Sequence, residues 1–255
     1  MSDPANLSRR LSLRRSLWAT GLLVFGVVPA GLWTFGKLPS QSSTWSLLPP
    51  RRVGWKMKPL SSARTEERIL PDGRVVLNVE HELLSGVTPE MLVWWWRNID
   101  GDIEIDGQAV RRYLVWHPID HIHFGLLQRS SDGSVGPGAI FHLVEALGAD
   151  MNHLIDVAVR LKELDETGAT VELHALGRVV WHMRGQFLRR DRGTQFISTM
   201  TIGGTGWLAS LGLTGLLVDR FFPRERRRLW LKHSVEEIGN LQFFLPDLYR
   251  RRVAG

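Results

Sequence analysis

Two residues near the C-terminus have the types and spacing to do chemistry. At 100° per residue, Trp230, His233, Glu237, Leu241 and Phe244 fall within about 80° of one another on a helix. An imidazole and a carboxylate spaced i, i+4 thus lie in the middle of an apolar stripe, where burial without partners costs several kcal/mol. Either a metal ion takes one nitrogen and one carboxylate oxygen from adjacent turns, or the two form a buried hydrogen bond. A second group is Trp116-His117-Pro118-Ile119-Asp120-His121-Ile122-His123, with three histidines in seven residues. Read as the end of a strand, it sends His117 inward with Tyr113 and Val115. Asp120 or His121 can then orient a ligating imidazole. The competing reading is an exposed loop. Glu145, closing Phe141-His142-Leu143-Val144-Glu145, is a third candidate, either a ligand or the rim of an element. With no cysteine in the chain, only nitrogen and oxygen ligands are available, and disulfides, iron–sulfur ligation and thiol nucleophiles are excluded.

Other chemistries fall away on motif grounds. There is no Gly-x-Ser-x-Gly elbow and no His-Glu-x-x-His. Gly203-Gly204-Thr205-Gly206 lacks the Gly-Lys-Ser/Thr ending of a phosphate loop. The apolar run 206–218 is too short to cross a bilayer. It predicts a loop or short helix that covers a pocket mouth or dips into a membrane interface. Arg224, Arg226, Arg227 and Arg228 follow it, either as lipid-headgroup contacts or as a solvated helix start.

These groups need a scaffold. The chain has 255 residues, 44% hydrophobic and 23% charged, which excludes wholly disordered and collagen-like polymers and suffices for one large core. Strand-like runs occupy residues 74–84, 110–117, 138–147, 155–164, 170–180, 180–189 and 195–202. Thr88-Pro89-Glu90 opens a helix through 91–97 that carries Trp94, Trp95 and Trp96. A final helix runs from about 227 to 243 and ends before Pro246. The expected fold is α+β: a curved antiparallel sheet gripping the last helix, over residues 66–255.

Charge is unevenly spread. Residues 1–60 hold nine Lys/Arg against Asp3 alone, whereas 61–255 hold 23 bases and 25 acids. The basic charge is therefore not a property of the folded body, which argues against a nucleic-acid partner. A basic n-region, 1–15, precedes the uncharged stretch 16–36, long enough at 21 residues to span a membrane as one helix. The arginines before it place the folded domain on the extracytoplasmic side. The alternative is a cleaved export signal, since Ser8-Arg9-Arg10-Leu11-Ser12-Leu13-Arg14 resembles a twin-arginine motif and Val28-Pro29-Ala30 a cleavage site. Residues 37–65, rich in proline and serine, read as a linker.

Taken together, Trp116-His117-Pro118-x-Asp120-His121, Phe141-His142-x-x-Glu145 and His233-x-x-x-Glu237 with Leu245-Pro246-Asp247-Leu248-Tyr249 resemble the 2,4-diacetylphloroglucinol hydrolase family over roughly residues 66–250. The resemblance implies a Bet v 1-like helix-grip fold and one zinc ion held by two histidines and two glutamates. Carried over by motif, the ligands are His117, Glu145, His233 and Glu237, with His121 the alternative to His117. The implied reaction is hydrolysis of the carbon–carbon bond between an acyl group and a phenolic ring, or in another β-dicarbonyl compound. His182, Asp120 and Tyr113, with His174, are the candidate proton carriers. The substrate would be small and apolar or aromatic. A rival reading keeps the helix-grip cavity as a non-catalytic carrier of a lipid or polyketide, with the His/Glu residues merely paired.

Overall fold

The computed structural model describes residues 45–105, 107–175, 177–204 and 212–252. The expected membrane or signal segment 16–36 and the basic n-region 1–15 lie outside the described residues. Among the described residues, no helix is long and apolar enough to cross a membrane.

The strands are β1 (Arg64–Ile69), β2 (Val75–Ser85), β3 (Asp102–Ile105), β4 (Gln108–Arg111), β5 (His121–Gln128), β6 (Ile140–Ala146), β7 (Leu154–Asp165), β8 (Gly168–Ala175), β9 (Arg178–Arg190) and β10 (Gly193–Ile202). Eight of them form one sheet in the order β1-β2-β10-β9-β8-β7-β6-β5, every neighbour antiparallel. β3 and β4 make a separate hairpin. Bulges at Gln195/Ile197, His121/His123, Leu161/Glu163 and Leu173/His174 bend the sheet. Its inner face closes on the final helix, so the expected helix-grip architecture is present.

Helix α1 (Pro89–Arg97) starts as its sequence requires: Thr88 Oγ1 accepts the Met91 N–H at 3.4 Å, Pro89 occupies the first turn and Glu90 complements the helix dipole. It buries Trp95 and Trp96 and leaves Trp94 under the Arg112 guanidinium. The expected strand 110–117 is instead the end of β4 followed by helix α2 (Arg112–Trp116). Tyr113 and Trp116 explain the difference. Both are buried, and the Trp116 ring meets Trp95 and Trp96 edge-on. A strand would point residues three apart to opposite faces, whereas a helix turns both into one core.

Two helices close the chain, α3 (Thr214–Phe221) and α4 (Arg224–Arg251). The latter passes Pro246, eight residues beyond the expected end at 243. An interior proline costs about 3 kcal/mol. Phe244 and Leu245 on the turn before it are buried in the main core, each worth roughly 1.5–3 kcal/mol, so the helix continues. The linker reading also changes from Trp45 onward. Trp45 stacks on His123 at 4.9 Å and donates to Asp156 Oδ2 at 3.1 Å. Trp55 stacks on Phe243 and Phe244 and donates to Asn240 Oδ1 at 3.2 Å. Two indoles thus tie this proline-rich segment to the folded body.

Candidate metal centre

The site is built from two local pairings that have different causes. On the sheet, His121 of β5 lies directly opposite Glu145 of β6, so both side chains leave the same face. That face is the inner one, because Phe141 and Leu143 share it and pack in the main core. On α4, His233 and Glu237 are one turn apart and meet the same point. His121 Nε2 is 3.6 Å from Glu145 Oε1 and 3.9 Å from Glu237 Oε1. His233 Nε2 is 3.7 Å from Glu145 Oε2 and 3.7 Å from Glu237 Oε2. Ligand atoms around a tetrahedral zinc stand about 3.4 Å apart. His121, His233 and Glu237 each offer one ligand atom within 4.8 Å of the others, and Glu145 approaches both imidazoles from the sheet.

Both imidazoles are locked with one nitrogen facing this point. His121 Nδ1 is 2.6 Å from the Tyr113 carbonyl oxygen, which can only accept, so Nδ1 carries the proton and Nε2 is a bare lone pair. That Nε2 is buried and has no hydrogen-bond partner, and it faces two carboxylates. Burial, and then the nearby His233 and His117, lower the His121 pKa well below its usual value, so the ring stays neutral. A bare lone pair and two carboxylates turned to one point are unsatisfied without a proton or a metal ion among them, and two imidazoles with two carboxylates are a donor set that suits zinc.

His233 donates from Nδ1 to Asp120 Oδ2 at 2.9 Å, which turns its Nε2 to Glu145 and Glu237. Asp120 is itself cradled: Oδ2 accepts the Gly148 N–H and Oδ1 the Ala149 N–H, both at 3.0 Å. Gly148 and Ala149 have φ of 68° and 56°, a left-handed pair that aims successive N–H groups at one anion. For Ala149 this conformation is strained by roughly 1–2 kcal/mol. Burial raises the Asp120 carboxyl, yet the hydrogen bond and charge of His233 prevail and bring it down to about 2. Burial likewise works against a charged His233, but Asp120, Glu145 and Glu237 hold its pKa up at about 9. Glu237 is pushed up to about 8, first by burial and then by its neighbouring carboxylates. An Asp120→Asn substitution turns amide hydrogens on groups that are already donors. It is expected to weaken zinc affinity about 10- to 100-fold, measured by competition with a chromogenic chelator.

The structure thus brings Glu145, His233 and Glu237 together, and His121 turns its free nitrogen toward the two carboxylates. His117 is turned away. Its Nδ1 accepts the Asp120 N–H at 3.0 Å, and its Nε2 meets Glu236 Oε2 at 3.3 Å, with Lys232 bound to the same carboxylate at 2.7 Å. His117 therefore pins the turn that carries Asp120. The motif context Trp116-His117-Pro118 favours His117 as ligand, and His117, Asp120 and His233 do offer ligand atoms within 4.8 Å of one another. His121, however, is the histidine whose free nitrogen faces Glu145 and Glu237. Tyr113 stacks on His121 at 3.8 Å and donates its hydroxyl to Glu145 Oε1. Burial, then Glu145, raises its pKa well above the usual phenol value. His182 is elsewhere: its neighbours Trp181 and Met183 pack into the core, so it lies on the outer face opposite Glu172. His174 is bonded there to Glu172 Oε2 at 3.0 Å. Neither is in contact with the His121–Glu145–His233–Glu237 cluster.

No family model matches the chain, and no curated protein does. Solved structures do resemble it. Ara h 8.0201 is 12% identical with a TM-score of 0.35, covering 64% of this chain and 98% of its own. A START superfamily protein from Mycobacterium smegmatis is 12% identical with a TM-score of 0.37, over 65% of this chain and 98% of its own. A protein from Thermus thermophilus, TTHA0849, is 10% identical with a TM-score of 0.40, over 68% and 94%. At such scores, the fold rests on the strand order and gripped helix described above, and the site on its own geometry.

Proposed function

We propose that this chain is a zinc-dependent hydrolase that cleaves the carbon–carbon bond between an acyl group and a phenolic ring, or in another β-dicarbonyl compound. The observation that carries this reading is the bare, buried Nε2 of His121 facing Glu145 and Glu237 beside His233. His121, Glu145, His233 and Glu237 would hold the ion. Zinc bound there supplies polarisation of a carbonyl oxygen and a bound water of near-neutral pKa.

The chain's own residues account for the rest. Phe124, Leu143, Val157, Leu173, Trp181 and Met183 pack against the core yet stay only half-buried, which leaves an apolar, solvent-reached surface on the Glu145 side of the sheet. An aromatic ring fits such a surface. Water adds to the acyl carbonyl, and the carbon–carbon bond breaks with its electron pair passing to the ring carbon conjugated to the ring oxygens. A proton then completes the ring, and the acyl group leaves as a carboxylic acid. Of the candidate proton carriers, Tyr113 is the one whose neutral hydroxyl reaches the cluster, through Glu145. Asp120 acts through His233, as a positioning residue.

The test is release of carboxylic acid from acylphloroglucinols and simple β-diketones by the full-length, zinc-replete protein. Turnover is expected, and Tyr113→Phe should lower kcat about 100-fold or more with zinc content retained. Absence of acid from every such compound, with zinc bound, rejects the hydrolase. It leaves the non-catalytic carrier, which the half-buried apolar face favours.

A further inference from the structure

We propose that the exposed face of α3 and the first two turns of α4 dock on an anionic phospholipid surface. In α3, Thr214 and Val218 are buried, while Leu213, Leu216 and Arg220 fall within about 60° of one another on the opposite side. Leu216 is 69% exposed. The β1–β2 turn abuts the same helix so closely that a Cβ at Gly73 would meet Gly215 N at 2.6 Å. Ile69, 70% exposed, ends β1 just before that turn. Large aliphatic side chains on both sides of one helix–turn contact make a patch that water does not favour.

The charges beside this patch are divided by the structure. Arg227 is buried, donating to Glu67 Oε1 at 2.9 Å and to Asp219. Arg226 donates to the Phe221 and Asn152 carbonyl oxygens. Arg220, Arg224 and Arg228 are exposed and have no ion-pair partner among the described residues. Of the two acids in 213–228, Asp219 is paired with Arg227, and Glu225 lies 3.8 Å from His153. Exposed leucines next to three unpaired arginines suit the boundary between acyl chains and negative headgroups. Outside residues 1–60 the chain is slightly acidic, so this basic cluster stands apart from the rest of the body.

The chain's lack of cysteine makes the test direct. Full-length Leu216→Cys carries a nitroxide, and its collision with a water-soluble nickel chelate is measured with vesicles of phosphatidylcholine alone or with phosphatidylglycerol added. Leu127→Cys, on the far edge strand β5, is the control. Protection of the Leu216 label, and not of the Leu127 label, is expected only with phosphatidylglycerol. Arg220→Gln, Arg224→Gln and Arg228→Gln together should abolish it, each arginine contributing about fivefold, with the circular dichroism spectrum unchanged. Equal exposure in both lipids, equal protection at both labels, or protection by an oligonucleotide without lipid would overturn the proposal.

Discussion

Elemental analysis of the full-length protein is expected to find close to one zinc per chain, absent after His121→Ala and retained after His117→Ala. The contrast follows from orientation. Removing His121 takes away an imidazole whose Nε2 has no other partner, and leaves Glu145 and Glu237 facing one another across an emptied corner. Removing His117 loosens the Asp120 turn but leaves all four inward-facing donors. Chelation should also lower the melting temperature. Metal held at about 1,000 times its Kd stabilises the folded state by about 4 kcal/mol, roughly 10 °C for a domain of this size. Zinc retained by His121→Ala and lost by His117→Ala would show that the sequence motif, rather than the spatial arrangement, identifies the ligand. Zinc absent from the unaltered chain, with no effect of chelators on melting, would remove the metal centre altogether.

The second large effect is on pH. Zinc takes the neutral form of histidine and the ionised form of glutamate. His121 is already neutral at every pH of interest, because burial lowers its pKa, and it contributes no proton. His233, held up at about 9, and Glu237, pushed up to about 8, both carry protons that zinc must displace near neutrality. The sign follows: below these values, raising the pH removes a competitor, so affinity climbs, and above about 9 it levels off. Up to two protons leave per ion bound, so affinity is expected to rise up to about 100-fold between pH 6 and 7. Isothermal titration in buffers of differing ionisation enthalpy counts those protons directly. A flat profile over this range would mean that neither group is protonated in the metal-free protein.

Several features were legible in the residues alone because their causes are local. The capping at Thr88-Pro89-Glu90, the i, i+4 pairing of His233 and Glu237, and the carboxylate at Glu145 need only a helix turn or a strand's alternation to be placed. The final helix was legible as an element but not in its length, since the cost of Pro246 is local and the burial that offsets it is not. His121 was the hardest to assign. A regular strand would place it on one face with His123, but the bulge between them breaks that alternation. His121 then faces inward opposite Glu145, while His123 lies outside under Trp45. One signal was available: Phe124 and Leu126 are the apolar inward residues of β5, and His121 joins their face only if one residue is skipped.

The sequence by itself determined the donor types, the spacing of His233 and Glu237 on one helix face, the capped helix after Thr88, most of the sheet strands between residues 74 and 202, and the absence of thiol chemistry. Tertiary structure alone decided that His121 turns an unpartnered nitrogen toward Glu145 and Glu237, that Asp120 holds His233 from a cradle of left-handed backbone, and that His182 and His174 lie on the opposite face of the sheet. The physical reason is range. Helical periodicity and capping act within a few residues, whereas strand register, bulges and the packing of Trp116 against Trp95 and Trp96 depend on residues brought together from distant parts of the chain.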